Sequence, residues 1–251
     1  MTVLDTAARR DALLSETDLL ADLYLSADPA TPVPTCPDWT LANLVAHVGR
    51  ATRWAAAIIA ARTTAPIDIR EVPGIRRPHD PDEAARWLRG GARAMLDNLA
   101  TTGDDTPVWT TTGTVRPAAW WVRRLLHEAT VHRADATLAL GREFVLAPAL
   151  AADGLSEFLG VVAWAPHLGT ALDEGTSLRL HAHDTDDTWT IHRSGDRITF
   201  TDSSAPATLA LRGTATDLFL LLLRRIPAGT AGLDTFGDLA VLTAWLERVR
   251  F

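Results

Sequence analysis

Apolar residues in the first half of the chain recur at helical spacing, and proline-rich or turn-rich stretches interrupt them. A first helix is expected over about residues 4–26, with Leu13, Leu20 and Leu23 among its apolar positions. Residues 27–38 are proline-rich and cannot continue it. Thr40 reads as the N-cap of a second helix reaching about Arg62, because Leu41, Leu44, Val45, Val48, Ala55, Ile58 and Ile59 keep the helical period. A loop over 66–81 precedes a third helix, opened by Asp82 and Glu83 and running through Met95 to Leu99. Acidic residues suit that end, where the macrodipole is positive. After turn-rich residues 101–114, a fourth helix is expected from about Pro117 to Leu140, with Gly141 as its stop. Four helices joined by such loops make an α-bundle.

The pattern changes in the second half. One more helix, about 148–163, is followed by segments of strand periodicity at 177–183, 188–192, 197–200 and 207–211. Two helices, about 216–225 and 234–249, close the chain. Strands followed by helices, rather than alternating with them, predict an α+β domain on an antiparallel sheet. The expected organisation is a bundle over residues 1–145 and a smaller α+β domain over 146–251.

Composition narrows the function. A net charge of −7 disfavours general nucleic-acid binding, which needs a basic face to displace counterions. No apolar run approaches the roughly 20 residues that span a bilayer. The stretch from Met1 to Arg10 has no apolar core with a cleavage site, so a cytoplasmic protein is expected. Cys36 is the single cysteine, which excludes an intrachain disulfide or a multi-cysteine zinc knuckle. All 24 basic residues are arginine, so Schiff-base and P-loop lysines are excluded.

The chemistry concentrates on the fourth helix. Trp121, Leu125, Glu128, His132, Asp135 and Ala139 advance by steps of four and three and share one face. Its apolar members turn that face inward, where an unpaired carboxylate would be costly. Glu128 and His132, one turn apart, can reach one ion from the same side. His127 belongs elsewhere, since it lies about 140° around the helix from His132, and the zincin spacing is not met. His47, just after Leu44 on the second helix, is the leading third ligand. Two histidines and one carboxylate leave a position open, as catalytic zinc sites do. A structural hydrogen-bond network with Arg124 or Arg133 fits the same residues.

Cys36-Pro-Asp-Trp-Thr40 with Leu44-Val-Ala-His47, and Glu128-Ala-Thr-Val-His132-Arg-Ala-Asp135, resemble the second- and fourth-helix signatures of the mycothiol-dependent maleylpyruvate isomerase family, within the DinB-like bundle superfamily. The C-terminal half, with Gly213-Thr-Ala-Thr-Asp-Leu218 and a leucine-rich helix, resembles that family's second domain. The resemblance implies zinc held by His47, Glu128 and His132, and an arginine from the C-terminal domain, best matched by Arg225. The family pattern places a glycine before that arginine; here Arg224 stands there. It further implies mycothiol as the thiol cosubstrate and a small electrophile as substrate, with isomerase or S-transferase chemistry. A thiolate formed at the metal would add to the electrophile, permitting cis–trans rotation and elimination, or remain as a conjugate. The same signatures also fit a metal-dependent, non-enzymatic binding or regulatory module.

Two further polar groups, Cys36 and Asp135, carry two readings each. Cys36 is a thiol near a helix N-terminus or a packed structural residue. Asp135 is an acceptor orienting a ligating histidine or a partner in a helix-face salt bridge. His181 and His183 share one side of a strand but lack a third ligand. Trp121 is placed toward the pocket, and Trp120 between packed elements.

Overall fold

Reciprocal hydrogen bonds set the start of the helix that carries His47. Thr40 accepts from the Asn43 backbone N–H, and the Asn43 side chain accepts from the Thr40 N–H at 3.0 Å, so α2 runs Leu41–Ala61. Asp5 caps α1, Thr6–Leu25, and Asp80 caps α3, Pro81–Thr102, with proline in its first turn. The fourth helix, α4, is Trp120–Ala139. This is a computed structural model describing residues 4–230 and 232–249. The first three residues of the N-terminal stretch read above lie outside it.

The chain divides into two compact units, one of them Asp5–Phe144. Within it α1 packs on α3 and α4, and α2 packs on α3 and α4. Leu13, Leu20, Leu44, Val48, Leu88, Leu99, Trp121 and Leu126 fill the bundle with almost no exposure. The turn-rich stretch before α4 holds a hairpin that three-residue strands are too short to announce. Its strands are β1, Pro107–Trp109, and β2, Val115–Pro117, paired antiparallel. Pro117 therefore ends a strand opposite Pro107 instead of opening the helix, which starts later, at Trp120. Proline suits this edge, where its missing N–H breaks no ladder.

The second unit begins at Val145 with α5, Pro148–Trp164. Its strands are β3, Ser177–Ala182; β4, Asp187–Ser194; β5, Arg197–Thr201; β6, Leu209–Gly213; and β7, Asp234–Gly237, in the order β5-β4-β3-β6-β7. Every neighbouring pair is antiparallel except β3 and β6, whose connection passes through β4 and β5. The fold is α+β. Leu178, Leu180, Trp189, Ile191, Leu209 and Leu211 stand opposite one another on the buried face. The helices α6, Ala215–Leu222, and α7, Ala240–Arg248, pack against β3. Residues 234–237, expected within the last helix, form the exposed edge strand β7, and the helix starts at Ala240. Among the described residues, no helix is long and apolar enough to cross a membrane.

One close approach fixes α2 against α3. A Cβ built on Gly49 would lie 1.9 Å from the Trp87 ring. Trp87 has little room to withdraw: its Nε1 donates to the Gly74 carbonyl at 2.7 Å, and the Arg53 guanidinium lies 4.2 Å over its ring. Gly49→Ala is therefore expected to destabilise the protein by about 1–3 kcal/mol through overpacking, read as a lower urea midpoint at unchanged slope.

Candidate metal centre

Helix periodicity brings four groups to one side of α4. Arg124, Glu128, His132 and Asp135 follow one another by single turns, and α2 faces them with His47. His47 Nε2 lies 2.7 Å from Glu128 Oε1, and His132 Nε2 lies 3.4 Å from the same oxygen. The two imidazoles meet edge to face with centroids 5.0 Å apart. One ligating atom from each of the three residues falls within 4.8 Å of the others. The His132 side chain is 10 % exposed and that of His47 41 %, so the cluster opens on the His47 side.

Glu128 and His132 each have an outer partner. Glu128 Oε2 accepts from the Arg124 guanidinium at 2.5 Å. His132 Nδ1 donates to Asp135 Oδ2 at 2.9 Å, which turns Nε2 toward Glu128. Asp135 is fully buried, and its other oxygen accepts from the Thr35 hydroxyl at 2.5 Å. The Cys36 thiol lies 3.4 Å from Oδ2. The proline-rich connection is folded to present these groups. Val33 N–H donates to the Trp39 carbonyl, Trp39 N–H to the Cys36 carbonyl, and Asp38 turns the chain at φ 68°. The same turn lays Trp39 against the site, its ring stacked on His132 at 5.9 Å and tilted on His47 at 5.0 Å.

Electrostatics describe a cluster built to hold positive charge. Burial opposes ionisation of Glu128, but Arg124 and hydrogen bonds from His132 and His47 outweigh it and hold the carboxyl well below the usual range. Burial likewise disfavours a charged His132, yet Asp135, Cys36 and Glu128 raise its pKa well above the ordinary value. Two imidazole nitrogens and one carboxylate oxygen around one point suit a divalent ion such as zinc. The donor set fits.

The remaining residues singled out from the sequence sort plainly. His127 is buried on another face of α4, away from the cluster. Cys36 and Asp135 join the network behind His132, and with it they form the other group of potential ligands among the described residues. Arg133 pairs instead with the buried Glu16 at 2.7 Å. Trp121 is a core residue whose Nε1 donates to the Trp109 carbonyl at 3.0 Å, and Trp120 meets it edge to face. His181 sits beside Asp186 at 3.4 Å, with no third ligand among the described residues. Thr35 and the placing of Trp39 over the site have no spacing signal; the only sequence pointer is Trp39's position within the Cys36–Thr40 motif.

Arg225 belongs to the other unit. Past the end of α6, Arg224 adopts a left-handed φ of 64°, and Arg225 N–H returns to the Leu220 carbonyl at 2.7 Å. Glycine is the residue that favours such a position, so Arg224 supplies the backbone turn expected of a glycine there. The Arg225 guanidinium donates to the Leu223 carbonyl at 2.7 Å. It lines a cavity of about 480 Å³ with Arg224, Thr243, Leu246 and Glu247.

Residues 10–137 match the family model described as the mycothiol maleylpyruvate isomerase N-terminal domain, and residues 149–244 match the MDMPI C-terminal domain. Crystal structures of a mycothiol-dependent maleylpyruvate isomerase and of its histidine-to-alanine mutant share the fold. Each superposes with a TM-score of 0.62 at 13% identity, covering 92% of this chain and 93% of that one. No curated protein sequence matches the chain.

The network behind His132 makes a testable contribution of its own. Asp135→Ala leaves the Thr35 hydroxyl and His132 Nδ1 without their buried acceptor. It is expected to cost the metal-free protein about 1–3 kcal/mol, measured by urea unfolding in the presence of a chelator.

Proposed function

Because this chain belongs to the mycothiol maleylpyruvate isomerase family, we propose that it is a zinc-containing, mycothiol-dependent isomerase or S-transferase acting on a small electrophile. The observation that carries this reading is the convergence of His47, Glu128 and His132 within 4.8 Å, open on the His47 side. These three residues would hold the ion. Zinc bound there supplies Lewis acidity, lowering the pKa of a thiol so that thiolate is available at neutral pH.

The chain's own residues do the rest. Asp135 holds the His132 ring in the orientation that points Nε2 inward. Trp39 packs its ring against both imidazoles. Arg225, with a planar fork suited to bidentate contacts, would bind a carboxylate or carbonyl of the substrate. Since the thiol arrives with the cosubstrate, Cys36 is not needed as a nucleophile, and its contact with Asp135 supports a packing role.

Two measurements test the reading. Metal analysis of purified protein is expected to give about one zinc per chain, falling to near zero in His47→Ala. A metal-replete protein whose melting temperature ignores mycothiol and other small thiols would defeat the thiol assignment. Arg225→Ala is expected to retain its metal while losing turnover by roughly two orders of magnitude. Undiminished turnover in that variant removes Arg225 from the mechanism, and a binding module without turnover would show no such dependence.

A further inference from the structure

The two oxygens of Glu128 keep different company. Oε1 faces both imidazoles, 2.7 Å from His47 and 3.4 Å from His132, whereas Oε2 takes the Arg124 guanidinium at 2.5 Å. Arg124 sits one turn earlier on the same helix and its side chain is only 22 % exposed, so helix geometry and packing hold the pair together. A guanidinium on one carboxylate oxygen acts on an ion at the other in two ways. It draws on the oxygen's electrons and crowds the approach that a second metal–oxygen bond would need, and its charge opposes that of the ion.

We propose that Arg124 is a positioning residue that restricts Glu128 to one-oxygen ligation and so keeps coordination positions open for thiol and electrophile. The inference rests on the metal centre proposed above. Two histidines and a carboxylate bound through both oxygens would fill four positions, the closed arrangement of structural zinc sites. The same residues bound through three atoms leave a vacancy. Arg124 thus exchanges affinity for openness, and removing it should tighten metal binding. A purely structural ion pair would act through its charge alone and leave the number of Glu128 oxygens on the ion unchanged when the arginine is removed.

The test titrates metal-free wild type, Arg124→Met and Arg124→Lys with Zn²⁺ against a competing chelator, and with Co²⁺ by visible absorption. Arg124→Met is expected to bind Zn²⁺ more tightly, on the order of tenfold, from the removed charge at this separation. Its Co²⁺ complex should show bands shifted from those of wild type, and mycothiol should perturb them less than in wild type. Arg124→Lys, which can keep a cation on Oε2, should behave as wild type. Unchanged or weaker Zn²⁺ binding by Arg124→Met overturns the inference and leaves the three-ligand centre standing. A wild type that binds neither ion overturns the centre and the inference together. A crystal structure of zinc-loaded wild type needs no variant: Oε2 still on Arg124 supports the inference, and both oxygens on zinc overturn it.

Discussion

Glu128 places a carboxylate on the inward stripe of a helix, and the surrounding arrangement answers that placement. Desolvating a carboxylate costs several kcal/mol unless charge and hydrogen bonds surround it. Arg124 approaches one oxygen from the same helix, and His47 and His132 approach the other from α2 and α4. The histidines need anchoring in turn. Asp135 anchors His132, and the Thr35 hydroxyl and Cys36 thiol anchor Asp135. Each layer of partners answers a polar group inside it that packing withdraws, wholly or in part, from water.

That layering explains which sequence features form the site and which only support it. The cap at Thr40 fixes where α2 begins and hence which residue stands two turns in, His47. Gly49, two residues further on, lets the Trp87 ring of α3 lie directly on the α2 backbone. The loop between α1 and α2 closes through Val33, Cys36 and Trp39, and so delivers two hydrogen-bond donors and an aromatic cover to residues about a hundred positions away.

Much of this was legible in the sequence because it is periodic. Steps of three and four along α4 were enough to put Glu128, His132 and Asp135 on one face and to set His127 aside, and the α+β class followed from helices giving way to alternating strands. What escaped is non-local or short. Strands β1 and β2 are three residues each and are stabilised by pairing across a turn, not by any pattern of their own. Residues 234–237 carry no buried side chain, so β7 is held by its ladder to β6 and leaves no apolar alternation to read. The parallel β3–β6 pair depends on a crossover that local sequence does not encode. Thr35 and Cys36 reach Asp135 through a loop conformation, for which no spacing rule exists.

Four of the polar groups in this centre, Arg124, Glu128, His132 and Asp135, are rungs of a single helix, and His47 stands across from them on another. The helix fixes the spacing of their backbone positions, whereas the distance to His47 is set by the gap between α2 and α4. Substitutions in the core that change this gap by a few tenths of an ångström would act as a tuning screw on the whole centre. Apolar residues that never touch these groups can thus set how closely they meet.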